Sequence, residues 1–164
     1  RCGVAALFLV LFFMFLSAEG IGQVKTYEKF TEFEQDYLKD LSEDTIYVVN
    51  FWATWCAPCV AELPFFEALN TKHKGNNVKV VLVSIDSHKN LESKVIPFLA
   101  KKGFQTEVVL LADSKTYKWI DLIDPSWSGA IPITLILSGN ERHFYEKDYE
   151  SLEALEEDVL KIKQ

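Results

Sequence analysis

The stretch from Ile46 to Pro64, Ile-Tyr-Val-Val-Asn-Phe-Trp-Ala-Thr-Trp-Cys-Ala-Pro-Cys-Val-Ala-Glu-Leu-Pro, restricts the possible folds more than any other part of the chain. Its first half is β-branched and aromatic, bounded by turn formers and too short for a free-standing helix, so it predicts a buried strand. Its second half predicts a helix. Cys56 then stands at the helix N-terminus, where unpaired N–H groups and the positive end of the dipole favour a thiolate. This identifies Cys56 as the candidate nucleophile. Cys59 lies one turn further on the same face, placed to attack a mixed disulfide on Cys56. Pro58 suits a first turn that needs no N–H. A purely structural disulfide over so small a loop would add little stability. A zinc site needs about four ligands, and Cys2, His73, His88 and His143 have no ligand spacing to the pair.

Phe51-Trp52-Ala53-Thr54-Trp55-Cys56-Ala57-Pro58-Cys59, followed by Glu62 and Pro64, resembles the thioredoxin superfamily and in particular its exported TlpA/ResA-like thiol-disulfide oxidoreductases. The likeness runs from about Ile46 to the C-terminus. It implies a redox-active disulfide with no further cofactor or metal, and a cis-proline loop beside the dithiol, matched by Ile131-Pro132-Ile133-Thr134. It also implies reduction of disulfides in periplasmic or cell-surface proteins, apocytochrome c cysteines among them, with a membrane thiol reductase as electron donor. Trp55, Ala57, Pro58, Trp127 and Ile131 are the candidate contacts to the partner polypeptide.

Around the motif, the expected order begins with an amphipathic helix over Val24–Leu41, carrying Tyr27, Phe30, Phe33, Tyr37, Leu38 and Leu41. The central strand follows, then the motif helix over about Ala57–Lys74, bent at Pro64. Val78–Asp86 reads as a second buried strand parallel to the first. A helix over Leu91–Lys102 closed by Gly103, a strand Glu107–Leu111 and a helical segment Lys115–Ile123 lead to Asp124–Gly129. That insertion before the proline loop is also a property of the TlpA/ResA-like proteins. A hairpin, Ile133–Leu137 and Arg142–Glu146, turns at Gly139-Asn140. The last helix, Ser151–Lys161, sets Leu152, Leu155, Val159, Leu160 and Ile162 on its apolar face. The expected fold is a thioredoxin-like three-layer α/β sandwich with helices on both faces of a mixed sheet.

Residues 1–20 carry the apolar run Val4–Leu16, too short for a membrane span of about 20 residues, then Ser17-Ala18-Glu19-Gly20 with small residues at the −3 and −1 positions of a signal-peptidase site. This predicts an export signal cleaved after Gly20, releasing a domain over 21–164; cleavage after Gly22 and retention as a membrane anchor are the alternatives. Cys2 precedes the apolar run and is read as incidental. With 49% hydrophobic residues the rest supports one domain with a sizeable core. The formal net charge of −7, without a basic stripe, argues against nucleic-acid binding.

Exchange requires a thiolate, so the proton acceptors matter. Thioredoxins often carry a buried Asp before the motif, paired with a Lys on the neighbouring strand; here the positions are Asn50 and, by register, Leu82. Glu62 is the nearest carboxylate able to assist Cys59. Its alternative is a solvated first-turn carboxylate that only favours the helix dipole. Trp52 is expected beneath the site, with Trp55 and Trp127 on an exposed apolar rim unless Trp127 is buried under the insertion. His88 is read as surface. The uncharged Ala57-Pro58 adds no cation to the thiolate, which favours a reductant over a strong oxidant. A thiol peroxidase would need Thr-x-x-Cys and an Arg, and Thr54-Trp55-Cys56 is one residue short. A disulfide oxidase or isomerase, and a non-catalytic binding module, complete the alternatives.

Overall fold

A computed structural model describes residues 23–162. The predicted signal peptide lies outside the described residues. The chain runs β1 (Lys25–Tyr27), α1 (Phe30–Tyr37), β2 (Ile46–Trp52), α2 (Ala57–Lys72), β3 (Val78–Ser84), α3 (Ile96–Lys102), β4 (Glu107–Leu111), α4 (Ile120–Ile123), β5 (Ile133–Ser138), β6 (Glu141–Tyr145) and α5 (Leu152–Lys161). The strands form one six-stranded sheet in the order β1-β4-β3-β2-β5-β6. β2 pairs parallel with β3 and antiparallel with β5, so the sheet is mixed. Asn50 stands opposite Leu82, the register expected.

Alternation along β2 divides the core into two layers. Val48 and Trp52 face α2, α3 and α5 with Leu63, Phe66, Leu99 and Leu155. Val49 and Phe51 face the opposite layer, built from Tyr27, α1 and the Trp119–Trp127 segment. The motif helix therefore lies against the strand that leads into it.

Three expectations are corrected. The helix predicted from Val24 is a strand up to Tyr27, because Lys25–Tyr27 pairs with Val109–Leu111 on the open edge of β4. The aromatic spacing survives because Tyr27 and Phe33 still meet, 5.8 Å apart, one from the strand and one from α1. The helix predicted over Leu91–Lys102 opens with a 3₁₀ turn at His88–Asn90 and a π turn at Leu91–Val95. Pro97 has no N–H and its ring would meet the carbonyl four residues back, and the ladder shifts so that Ile96 N–H donates to Leu91 O. On α5 the inward face is Leu155, Asp158, Val159 and Ile162, whereas Leu160 is 65% exposed. One position past Val159 on a helix is a rotation of about 100°, which carries Leu160 off that face.

Candidate active site at the start of the motif helix

Cys56 is the N-cap of α2, with extended backbone angles. Its N–H donates to Ala53 O at 3.1 Å and its carbonyl accepts from Val60 N–H at 3.0 Å. Cys56 and Cys59 are joined by a disulfide, and the Cys59 N–H, one of the free donors of the first turn, points at Cys56 Sγ from 3.3 Å. That donor and the helix end stabilise negative charge on Cys56 after reduction. Cys56 is 7% exposed and Cys59 is fully buried. Access distinguishes the two sulfurs.

The peptide bond between Ile131 and Pro132 is cis, and Ile131 O lies 3.7 Å from Cys56 Sγ. The disulfide sulfur carries no proton, so this is a contact and not a hydrogen bond. Pro132 is buried and Ile131 half-buried, whereas Ala57 and Pro58 are exposed on the other side of the sulfur. Ile131, Ala57, Pro58 and Trp55, which is 62% exposed, are brought to one surface around the disulfide, with Pro132 beneath it. Trp127 is not part of that surface. It is 6% exposed, packs edge-on to Phe51 at 5.8 Å and donates its indole N–H to Ala130 O, so its role is to support the proline loop from inside. Trp52 is fully buried beneath the disulfide and tilted against Phe98. Pro64 sits inside α2 on its exposed side.

Glu62 is fully buried, which rules out the solvated-face reading. Asn50 Nδ2 donates to its Oε1 at 2.7 Å and the Tyr149 backbone N–H to its Oε2 at 2.8 Å. Burial pushes the carboxyl up to about 7, against the two hydrogen bonds that favour the carboxylate and with the charge of Asp148 adding to the rise. A carboxyl so placed can take or give a proton at neutral pH. Asn50 also donates to Thr134 Oγ1 and Ile133 O, tying β2 and Glu62 to the strand behind Pro132.

Sequence reasoning missed the role of the Tyr149 backbone, which has no sequence signal. It also missed Asp86, whose signal is a carboxylate set directly after the apolar run Val-Leu-Val-Ser-Ile. His88 is exposed and meets Glu28, as expected of a surface residue. Arg142, the one arginine among the described residues, donates to Ile123 O from the edge strand β6 and supplies no guanidinium to the sulfurs. Among the described residues no cluster of His, Cys, Asp and Glu is arranged to hold a metal ion, and no helix is long and apolar enough to cross a membrane.

The AhpC/TSA family matches residues 25–142. A thiol-disulfide oxidoreductase ResA of Oceanobacillus iheyensis is 49% identical over 39 residues, 24% of this chain and 20% of that protein. A sporulation thiol-disulfide oxidoreductase A of Bacillus subtilis is 28% identical over 100 residues, covering 61% of this chain and 56% of that protein. The chain thus matches little more than half the length of these relatives at most. Among solved structures, a thioredoxin-related protein of Neisseria meningitidis serogroup B superposes with a TM-score of 0.63 at 21% identity, over 77% of this chain and 90% of that one. The fold is thioredoxin-like.

Proposed function

The chain belongs to the AhpC/TSA family, and on that premise we propose that it is a protein-disulfide oxidoreductase that works as a reductant on exported proteins. The observation that carries this reading is the disulfide between Cys56, at a helix N-terminus and 7% exposed, and a fully buried Cys59.

In the reduced protein, the Cys56 thiolate attacks one sulfur of a partner disulfide; a Cys56–partner bond forms and the partner's other sulfur leaves as a thiolate. Cys59 then gives its proton to Glu62 and attacks Cys56 Sγ, forming the Cys56–Cys59 disulfide and releasing the second partner thiolate. Two electrons pass to the partner, and a dithiol donor must return them. A membrane thiol reductase fits that role, and cytochrome c maturation-type partners fit the substrate class. Export through residues 1–20 belongs to the same proposal. The direction follows from the motif: Ala57 and Pro58 are uncharged, and no Lys, Arg or His side chain is hydrogen-bonded to either sulfur among the described residues. The thiolate is then only moderately stabilised, and the disulfide is a weak oxidant.

Equilibration with a glutathione buffer tests the direction. A potential of about −200 to −270 mV is expected, and a value near −120 mV would make the protein an oxidant. Failure to reduce insulin with dithiothreitol as donor would support a binding module instead. A brief iodoacetamide pulse on the reduced protein, followed by mass mapping, should label Cys56 first because Cys59 is fully buried. Preferential labelling of Cys59 would reverse the assigned roles.

A further inference from the structure

Just beyond β3 lies a carboxylate that the steps above do not use. Asp86 is 1% exposed. Its Oδ2 accepts the Thr54 backbone N–H at 2.9 Å and the Ser84 hydroxyl at 2.9 Å, and its Oδ1 accepts the Thr54 hydroxyl at 2.6 Å. Its own N–H donates to Ser84 Oγ at 3.1 Å. Burying a carboxylate is costly unless its oxygens are satisfied. Here both oxygens are satisfied, and the bonds converge on a single residue of the loop opposite. Thr54 is the middle of Ala53–Trp55, the connection between β2 and the N-cap Cys56. Among the described residues no other side chain bonds to this connection; its backbone bond is Cys56 N–H to Ala53 O, and the strand end below is held by Ile85 N–H to Trp52 O.

Trp55, next to Thr54, is 62% exposed beside the disulfide. An indole standing in solvent can bind a partner tightly only if its backbone is fixed beforehand, since otherwise ordering it costs part of the binding energy. The short charge-assisted bonds from Asp86 supply that fixing. A general-base role is opposed by the same geometry, because both carboxylate oxygens are occupied and almost no solvent reaches them.

The geometry points to Asp86 as a positioning residue that clamps Thr54 and so sets the Trp55 ring to receive an apolar side chain next to the disulfide of a polypeptide substrate. This rests on the protein-disulfide reading and deepens it. The substrate class is an extended polypeptide with an apolar residue flanking its cystine. A small disulfide such as oxidised glutathione has no such residue and gains nothing from the clamp.

The test compares Asp86→Ala with Asp86→Asn. An amide at position 86 can turn its oxygen to the Thr54 N–H and Ser84 hydroxyl and its NH₂ to Thr54 Oγ, since a hydroxyl also accepts. It preserves the clamp without the charge. With reduction of insulin disulfides as readout, Asp86→Ala should raise KM about tenfold with kcat changed less than about twofold, while oxidised glutathione reduction changes less than about twofold. Asp86→Asn should stay within about threefold of the wild type in KM. In a Trp55→Ala background, Asp86→Ala should add no further loss, because the two residues act through one contact. Hydrogen exchange at the Thr54 amide should quicken about tenfold in Asp86→Ala.

An unchanged KM in Asp86→Ala, equal losses with insulin and glutathione, an Asn variant as impaired as the Ala variant, or additive losses with Trp55→Ala would each overturn the assignment. If Asp86→Ala does not fold, Thr54→Val, which keeps the backbone bond and loses the hydroxyl, should raise the insulin KM about threefold without affecting glutathione; no rise overturns it equally. A wild-type protein that reduces neither disulfide would defeat the oxidoreductase reading. The Thr54 exchange rate would still decide whether Asp86 clamps the loop.

Discussion

The Cys59→Ser protein, mixed with oxidised partner proteins, is expected to accumulate mixed disulfides through Cys56 and to complete at most about one turnover in a hundred of the wild type. Attack needs only the Cys56 thiolate, which the helix end and the Cys59 N–H continue to stabilise. Release needs a second sulfur on the adjacent turn, and serine oxygen is far too weak a nucleophile towards sulfur to replace it. Cys56→Ser should yield no adduct at all, because Cys59 is fully buried. Non-reducing electrophoresis followed by mass mapping checks both variants. Adducts forming on Cys59 in the Cys56→Ser protein would show that the buried sulfur opens to partners, and the order of the two steps would have to be reversed.

The Glu62→Gln variant is expected to slow resolution of a Cys56 mixed disulfide about a hundredfold at pH 7, the range typical of a lost proton acceptor, while initial attack stays nearly intact. In the wild type, resolution should rise with pH through about 7, the value to which burial pushes Glu62. The variant should lack that rise. Glu62 also imposes a pH dependence on stability. Its folded pKa is above the unfolded value of 4.5, so the folded state holds the proton more tightly. Its contribution is fully present below about pH 4.5 and is lost as pH rises through about 7. From the two pKa values the loss is on the order of 3 kcal/mol. Oxidised wild type should therefore lose stability relative to Glu62→Gln between pH 5 and pH 8, read as the difference in urea midpoints. A constant difference would show that Glu62 stays ionised in the folded protein, and a resolution rate unchanged by the substitution would remove it from the proton path.

The position of the site was legible in the sequence because its determinants are local. A run of β-branched residues ending in Trp52 makes a strand, and Pro58 and the Cys spacing make a helix start, whatever surrounds them. The candidate nucleophile and resolving thiol follow from spacing over a few residues, and the register of Asn50 opposite Leu82 follows from aligning two apolar strands. Pro132 became a candidate only through resemblance, since nothing near it in the chain points to Cys56.

What the sequence left open depends on groups far apart in the chain. Lys25–Tyr27 has the spacing of a helix, and it is a strand because β4, more than 80 residues later, offers it an edge. Trp127 and Trp55 are equally aromatic, and only packing against Phe51 takes one of them inside. The role of Glu62 was likewise undecided by its place one turn beyond Cys59. The fold buries it fully, and the Tyr149 backbone supplies a donor from 87 positions away. Desolvation is a property of everything packed around a carboxyl and not of its neighbours in the chain. The motif therefore places the two sulfurs, while the tertiary structure decides that Glu62 is buried and which of the two tryptophans is exposed.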